Sequence, residues 1–318
     1  MIHADQLSRS FGSIAAVRDV SFVVPKGTLT AFLGPNGAGK TTTIRMLAGC
    51  LPPTQGHASI DGFDTIRNSL PARARLGLLH EHNPLYPEMR VRDYLLFRAA
   101  LHRVPRSKRA AASERAIERC QLRDVSRRRI GALSKGYRQR VGLAAAIIHD
   151  PSALILDEPT TGLDPSQILE TRSLLRELAQ DKAVLLSSHI LPEVERICDR
   201  VIIIAHGTIR ADDTPANLLA SHAHDAPYVL ECPSPDAPRL RTALTPLPHV
   251  TRAHDPTSLP GGWSRIEVCP QHGAPDLRET LARTAAQSSV LVREIRRDSP
   301  SLEAVFASHI ASASASNT

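Results

Sequence analysis

The feature that most constrains the fold is a glycine-rich loop that directly follows an apolar run. Residues 34–41 read Gly-Pro-Asn-Gly-Ala-Gly-Lys-Thr, and residues 29–33 before them read Leu-Thr-Ala-Phe-Leu. This matches the pattern G-x-x-x-x-G-K-[ST] in its expected setting, between a strand and a helix, here predicted over residues 42–48. Glycines let successive N–H groups converge on a phosphate, and a helix N-terminus favours anions. The stretch therefore predicts an α/β chain with a nucleoside triphosphate site.

Two side chains of this loop carry the chemistry that its backbone cannot supply. The Lys40 ammonium group can reach the β- and γ-phosphates, and the Thr41 hydroxyl can ligate Mg²⁺. The residues predicted to hold the triphosphate here are Gly34, Pro35, Asn36, Gly37, Ala38, Gly39, Lys40, Thr41 and Thr42.

Length and composition narrow the class of protein. At 318 residues, we expect one large domain and a smaller one. The longest apolar run, residues 141–148, is far shorter than the ~18 residues of a membrane span. Asp5 and Arg9 interrupt the N-terminus before a signal-peptide core could form, and the five cysteines are widely spaced. We therefore expect a soluble, intracellular chain with reduced thiols.

Positive charge is concentrated in one part of the chain. Residues 86–149 contain 16 Lys and Arg against five Asp and Glu, a local net charge of +11 in a chain of net charge +7. Three explanations fit such a stretch: solvated helix faces, contact with an anionic membrane surface, or contact with nucleic acid. With aromatics at only 3% of the chain, stacking on single-stranded nucleic acid is disfavoured.

The order of elements predicts a core with an insertion and a C-terminal addition. A β layer is predicted before residue 25, and apolar residues at helical spacing predict an inserted helical subdomain over about residues 86–150. Strands are predicted at residues 153–158, 183–187 and 201–205. Ten of the 24 prolines fall between residues 221 and 275. We therefore divide the chain into domains 1–220 and 221–318, the second a small α/β domain with a disordered tail from about residue 311.

A second acidic motif follows the predicted helices. Residues 153–158 read Ala-Leu-Ile-Leu-Asp-Glu, an apolar strand that ends in two carboxylates. At the carboxyl edge of a parallel strand beside the phosphate loop, Asp157 can hold Mg²⁺ through its water shell. Glu158, one residue further on, can accept a proton from an attacking water.

A third motif, Leu133-Ser134-Lys135-Gly136-Tyr137-Arg138-Gln139-Arg140, resembles the signature segment of ATP-binding-cassette (ABC) ATPases. In that family, Leu-Ser-Gly-Gly-Gln opens a helix that donates to the γ-phosphate across a dimer. The resemblance implies that Ser134 and Gly136 bind ATP in this way. Lys135 and Tyr137 depart from the pattern; Lys135 either adds charge near a γ-phosphate or points to solvent.

Further matches follow in the family's order. Gly162-Leu163-Asp164-Pro165 resembles the D-loop that links two protomers, His189 resembles the switch histidine at the γ-phosphate, and Phe11 is placed like the aromatic that stacks on adenine. Glu81 stands where the family has the Q-loop glutamine, and its carboxylate could still ligate Mg²⁺.

The resemblance implies a P-loop NTPase core with an antiparallel β subdomain and an inserted helical subdomain. It also implies Glu158, His189 and Lys40 as catalytic residues and Thr41, Glu81 and Asp157 as Mg²⁺ ligands.

The implied function is that of the ATP-hydrolysing subunit of an ABC transporter. The resemblance favours an exporter, with a separate transmembrane permease, two cassettes as a homodimer or heterodimer, and a peripheral place on the cytoplasmic face of the inner membrane. The rival is a non-transport ABC ATPase that acts on ribosomes or DNA, but such proteins usually carry two cassettes, long coiled coils or zinc insertions. No nucleic-acid partner is therefore expected. A nucleotide-binding regulator without turnover would have no need of Glu158.

Overall fold

The computed structural model describes residues 1–223, 226–271, 273–298 and 301–315. These residues form two compact units. The first joins Met1–Pro215 with the described residues from Phe306 onward, and the second holds Ala216–Val305. The sequence placed the residues after 305 with the C-terminal domain, whereas Phe306 and its successors cluster with the first unit.

The first unit alternates strands and helices. Its strands are β1 Ile2–Phe11, β2 Ile14–Val24, β3 Thr28–Leu33, β4 Gln55–Ile60, β5 Phe63–Asp64, β6 Leu76–Leu79, β7 Ala153–Asp157, β8 Ala183–Ser187, β9 Arg200–Ala205 and β10 Thr208–Asp213. Its helices are α1 Lys40–Leu47, α2 Ser69–Ala74, α3 Val91–Leu101, α4 Arg106–Arg119, α5 Lys135–Ile147, α6 Pro165–Ala179 and α7 Leu191–Ile197.

The central sheet has the strand order β10-β9-β3-β8-β7-β6, and all neighbours except β10 and β9 run parallel. All residues of β7 and β8 are buried, as is usual when helices cover both faces of a parallel sheet. Strand β7, which ends at Asp157, is separated from β3 by β8. The carboxyl ends of these three strands nevertheless share one edge of the sheet.

An antiparallel sheet of order β2-β1-β4-β5 forms the predicted β layer. It shares one hydrophobic core with α1 and the central sheet, in which the Phe22 and Phe32 ring centroids lie 5.5 Å apart. Helices α3, α4 and α5 lie in sequence between β6 and β7, inside the predicted helical stretch of about residues 86–150. This arrangement confirms a P-loop NTPase core with antiparallel β and helical subdomains.

The second unit has the order β-α-β-β-β-α-β, in which the three-residue β13 is added to a β-α-β-β-α-β pattern. Its elements, with the helices at its two borders, are α8 Pro215–Ala223, β11 Tyr228–Pro233, α9 Ala237–Leu244, β12 Val250–Ala253, β13 Thr257–Leu259, β14 Trp263–Pro270, α10 Arg278–Gln287, β15 Glu294–Arg297 and α11 Leu302–Ala315. The antiparallel sheet runs β12-β14-β11-β15, with β13 also paired to β14. This is the split βαβ, or ferredoxin-like, topology.

Two details of the C-terminal part differ from the sequence-based expectation. A strand is predicted at residues 290–295, but β15 begins only at Glu294, after an irregular segment. A disordered tail is predicted from about residue 311, but the backbone stays helical to Ala315. Residues 316–318 lie outside the described residues. Over the described ranges, no helix is both long and apolar enough to cross a membrane.

Two histidine rings stack inside the helical part of the first unit. The rings of His102 and His149 lie 3.7 Å apart and nearly parallel, at 7°, and His149 Nε2 is 3.1 Å from the Leu76 carbonyl oxygen. Burial lowers the pKa of His102 to about 4, with help from the Arg98 guanidinium. Burial, followed by the neighbouring His102, lowers the pKa of His149 to about 3. The pair is therefore neutral at pH 7.

This pair makes the stability of the fold depend on pH. Because both folded pKa values lie below the ordinary 6.5, the stabilisation is complete above pH 6.5 and is lost as the pH falls toward the folded values. The expected loss of folding stability is on the order of 2 kcal/mol. This value is reduced for solvent screening, because His102 is partly exposed. In His102→Phe, which keeps a flat ring against His149, the melting temperature should fall less between pH 7.5 and 5 than in the wild type. Equal falls in differential scanning calorimetry would contradict this.

Candidate nucleotide site

A cavity of about 810 Å³ opens at the carboxyl edge of the central sheet. It is lined by Phe11, Ala16, Gly34, Pro35, Asn36, Gly37, Gly39, Lys40, Thr41, Thr42, Glu81, Asp157, Glu158, Thr161, Ser188, His189, Leu191 and Phe306. Most of the residues predicted from the sequence are in this set. Ala38, Ser134 and Gly136 are not.

The phosphate loop turns directly from β3 into α1. Gly39, the residue before the helix, has a φ of 107°, which side chains rarely tolerate. A Cβ atom at Gly39 would also lie 2.7 Å from the Ala16 carbonyl oxygen, so residue 39 has both conformational and spatial reasons to be glycine. Ala38 lies inside the loop rather than facing the cavity: its N–H donates to Pro35 O and its carbonyl accepts from Gly207 N.

Lys40 is held inside the loop that it completes. Its Nζ atom donates to the carbonyl oxygens of Gly34 (2.6 Å) and Pro35 (3.1 Å). Burial lowers the pKa of this ammonium group, while the carboxylates of Glu158, Asp157 and Glu81 act in the opposite direction. A phosphate oxygen placed in the loop would compete with the two carbonyls for the same donor.

Removal of this charge should weaken nucleotide binding. Charge-assisted contacts are worth ~1.5–3 kcal/mol, so Lys40→Ala should raise the Kd for ATP by about 10- to 100-fold. Lys26→Ala is the matched control, because the Lys26 ammonium group is half exposed and only approaches Asp61, at 3.7 Å. Fluorescent-nucleotide titration measures both affinities. Equal affinity of Lys40→Ala and the control would refute the assignment of the loop.

The acidic end of the cavity is organised by the hydroxyl group of Ser187, the last residue of β8. Ser187 Oγ donates to Asp157 Oδ1 at 2.5 Å and accepts from the Glu158 N–H at 3.1 Å. Asp157 and Ser187 are direct partners in the register of β7 and β8. One buried side chain thus fixes the carboxylate of Asp157 and the backbone of Glu158.

Glu158 has an unusual backbone and a partnered carboxylate. Its φ is 52°, in the left-handed region that non-glycine residues seldom occupy. Oε2 lies 2.8 Å from His189 Nδ1 and accepts from Thr161 Oγ1 at 3.2 Å. The Glu158 side chain is 13% exposed and that of His189 is 67% exposed. Backbone strain of this kind is concentrated at functional sites.

The oxygen donors around the cavity suit a hard divalent cation. The Thr41 hydroxyl and the carboxylates of Glu81 and Asp157 line the same space, as does Glu158, while Lys40 is the one lysine or arginine in the lining set. Such an excess of carboxylates opposes a polyanionic nucleotide, and Mg²⁺ ligated by oxygen atoms would offset it. These residues fit the ion expected from the sequence.

The cavity lining also includes apolar side chains. Phe11 is 49% exposed at the end of β1, and the Arg9 guanidinium lies 4.9 Å from its ring centroid. Leu191 and Phe306, both from the first unit, also line the cavity. A flat base can stack on an aromatic ring of this kind, in keeping with the expectation for Phe11.

Ser134 and Gly136 lie at the start of α5, outside the cavity. Ser134 is the N-cap residue of α5, and its Oγ accepts from the Tyr137 N–H at 3.4 Å. Lys135 is exposed, but its stem lies along Gly162, where an added Cβ would be 2.5 Å from Lys135 Cδ. The divergent lysine therefore packs on the segment that resembles the D-loop.

Sequence reasoning missed several residues that shape the site. Ser187, Thr161 and Gln139 contact Glu158, and Phe306 reaches the cavity from the far end of the chain. Ser187 could have been noticed because it ends a predicted strand just before Ser188 and His189. Gln139 lies in the quoted signature segment, but its partner 19 residues away is not evident from spacing.

Comparison with known proteins gives consistent matches. A family model described as "ABC transporter" matches residues 17–161. The chain is 40% identical over 215 residues to the ABC transporter ATP-binding protein NatA of Bacillus subtilis, which covers 66% of this chain and 87% of that protein. It is 31% identical over 308 residues to the daunorubicin resistance ATP-binding protein DrrA3 of Streptomyces coeruleorubidus, which covers 96% and 94%. The bacitracin transport ATP-binding protein BcrA of Bacillus licheniformis is 37% identical over 211 residues, covering 66% and 68%.

Solved structures agree with these matches. An ATP-binding subunit of an ABC transporter superposes with a TM-score of 0.65 at 29% identity, over 69% of this chain and 92% of that chain. A dimeric ATP-binding cassette in a post-hydrolysis state, bound to ADP and Pi, gives a TM-score of 0.62 at 20% identity, over 68% and 99%. The second similarity is one of fold.

Proposed function

We propose, for a chain that belongs to the ATP-binding proteins of ABC transporters, that ATP hydrolysis at this cavity powers a separate membrane permease that acts as an exporter. The chain binds ATP and is an ATPase. The observation that carries the proposal is the convergence of Lys40, Asp157 and Glu158 on one cavity, while Ser134 and Gly136 lie outside it.

Glu158 is the general base in this proposal. Its carboxylate lines the cavity, and its position is fixed by Ser187 on the backbone and by Thr161 and His189 on Oε2. It can take the proton of the attacking water while His189 holds the carboxylate and donates toward the γ-phosphate. Lys40 binds the β- and γ-phosphates and balances their charge. Mg²⁺, held through Thr41, Glu81 and Asp157, would neutralise charge on the same oxygens.

The position of the signature residues supports a two-cassette arrangement. Ser134 and Gly136 do not line the cavity of their own chain, and Ser134 is exposed, so its hydroxyl group is available to a nucleotide held by another cassette. A head-to-tail pair would place two ATP molecules between two such surfaces. ATP then closes the pair, and loss of the γ-phosphate contacts lets it open. The second cassette is either a copy of this chain or a homologous one.

Replacement of the base tests this mechanism. Glu158→Gln keeps the shape of the side chain but cannot accept the proton, so hydrolysis should fall by ~10²–10⁴. ATP affinity should persist, because Lys40, Thr41 and Asp157 are unchanged, and a dimer should accumulate with Mg-ATP. Glu195→Gln, an exposed residue outside the cavity, is the matched control. Phosphate release and light scattering measure the two effects; full activity of Glu158→Gln would place the base elsewhere.

Two named relatives favour export as the direction of transport. Daunorubicin resistance and bacitracin transport are the roles named for DrrA3 and BcrA, and the alignment with DrrA3 extends through the C-terminal unit. We propose that this chain likewise serves an exporter. Co-purification of ATPase activity with a membrane protein, rather than with ribosomes or DNA, is the distinguishing experiment.

The loop of residues 81–88 is the proposed contact with the permease. Glu81 lines the cavity, and Tyr86 lies on the surface with its ring 5.7 Å from that of Phe97. The side chains of Tyr86, Phe97 and Leu101 are 47%, 36% and 61% exposed. Two of them are aromatic, in a chain with only 3% aromatic residues. Exposed apolar groups on this loop and on helix α3 suit docking of a partner, and Glu81 connects the same loop to the cavity.

The basic surface of the helical part supports contact with an anionic membrane. Of the 16 basic side chains in residues 86–149, four form ion pairs with carboxylates: Arg92, Arg119, Arg123 and Arg140. Arg127, Arg128 and Arg129 form an exposed run that pairs with no carboxylate in the described parts of the chain. Attraction of this kind acts within a Debye length, ~8 Å at physiological salt.

Charge reversal tests the membrane contact. Replacement of Arg127, Arg128 and Arg129 by glutamate should reduce flotation with anionic vesicles by about tenfold or more, at roughly 1 kcal/mol per charge near the surface. ATP binding should not change, because none of the three residues lines the cavity. The same reversal at the exposed Arg239 and Arg283 of the second unit provides the control. Unchanged flotation of the triple variant would leave these arginines as ordinary surface residues.

A further inference from the structure

Two hydrogen bonds connect the start of helix α5 to segments outside it. Gln139 Nε2 donates to the Glu158 carbonyl oxygen at 3.1 Å. Asn83 Nδ2, from the loop proposed to contact the permease, donates to the Arg138 carbonyl oxygen at 2.8 Å. The two contacts are on adjacent residues of the helix. The loop and the base are therefore both attached to the same helical turn.

The contact from Gln139 meets Glu158 where its backbone needs support. The left-handed φ of 52° at Glu158 persists only if neighbouring groups hold it. Ser187 fixes the N–H of this residue, and the Thr161 N–H donates to its carbonyl at 3.2 Å within the same loop. The side chain of Gln139 connects the Glu158 carbonyl to helix α5. Gln139 is buried, with 7% of its surface exposed.

The contact from Asn83 is equally close. A Cβ atom at Gly142 would lie 2.2 Å from Asn83 Nδ2 and 2.3 Å from its Oδ1, so the loop packs directly on the bare backbone of the helix. Asn83 has a positive φ of 39°, another sign that the loop is held in a specific conformation. The loop is thus joined to α5 by direct packing as well as by a hydrogen bond.

We propose that Gln139 is a positioning residue for Glu158, and that α5 sets the position of the base according to the loop attached by Asn83. The inference rests on the proposed function of Glu158. Since α5 begins with the Ser134 and Gly136 donors, engagement of the nucleotide on the other cassette would also act on Glu158 of this chain. Each cassette then hydrolyses its ATP only when its own signature helix is in place.

The test is Gln139→Met, which keeps the length of the side chain and removes the donor. A base misplaced by about 1 Å loses rate strongly, so kcat should fall by about 10- to 100-fold while the Kd for ATP stays within about twofold. Gln180→Met, at an exposed glutamine beyond α6, is the control for the same chemical change. Should Gln139→Met fail to fold, Gln139→Glu preserves the shape and should show at least the same loss of kcat, because an ionised carboxylate repels the carbonyl.

A double-mutant cycle separates positioning from a general structural role. In the Glu158→Gln background, Gln139→Met should cause no further loss of hydrolysis, since the group that it positions is already disabled. Additive losses, a parallel rise in the Kd for ATP, or an unchanged kcat in Gln139→Met would each overturn the inference. The last result, with Glu158→Gln inactive, would leave the proposed function standing. Full activity of Glu158→Gln would overturn both.

Discussion

The catalytic end of the site depends on one buried hydroxyl group at the end of strand β8. Ser187 lies in register with Phe32 of β3 on one side and with Asp157 of β7 on the other. Its Oγ donates to the Asp157 carboxylate and accepts from the Glu158 N–H. The parallel pairing is what brings these groups together, because the three strands end at the same edge. The next residues of the chain then enter the cavity as Ser188 and His189.

Electrostatics explains why this edge also needs its helix terminus and its lysine. Glu81, Asp157 and Glu158 line the cavity together, so a nucleotide brings further negative charge to a site that already has an excess of it. The N-terminus of α1 and Lys40 supply positive potential on the phosphate side. A divalent cation between the two sides would convert this repulsion into attraction. The carboxylates can thus serve as metal ligands and base without preventing binding.

The sequence predicts those parts of the site that are local in the chain. The phosphate loop, the Asp157-Glu158 pair and the first-unit elements each depend on adjacent residues, and their patterns are strong. The position of β8 between β3 and β7, and the contact of Gln139 with Glu158, arise from pairing across long separations, which single-sequence patterns do not encode. In the second unit, β12 and β13 are short and lie in a proline-rich stretch, so periodicity could not identify the split βαβ topology.

Helix α5 is suited to transmit a signal because it cannot deform easily. Every residue from Gln139 to Ile147 is buried, and Arg140 is fixed by Gln121 and Glu170. Closely packed interiors resist compression, so a push at one end of such a helix moves it as a body. Lys135 extends this coupling, since its stem packs on Gly162. Lys135, one of the two departures from the family's signature, therefore attaches the N-terminus of α5 to the segment around Gly162, and a rigid helix attached at its start is what the proposed coupling requires.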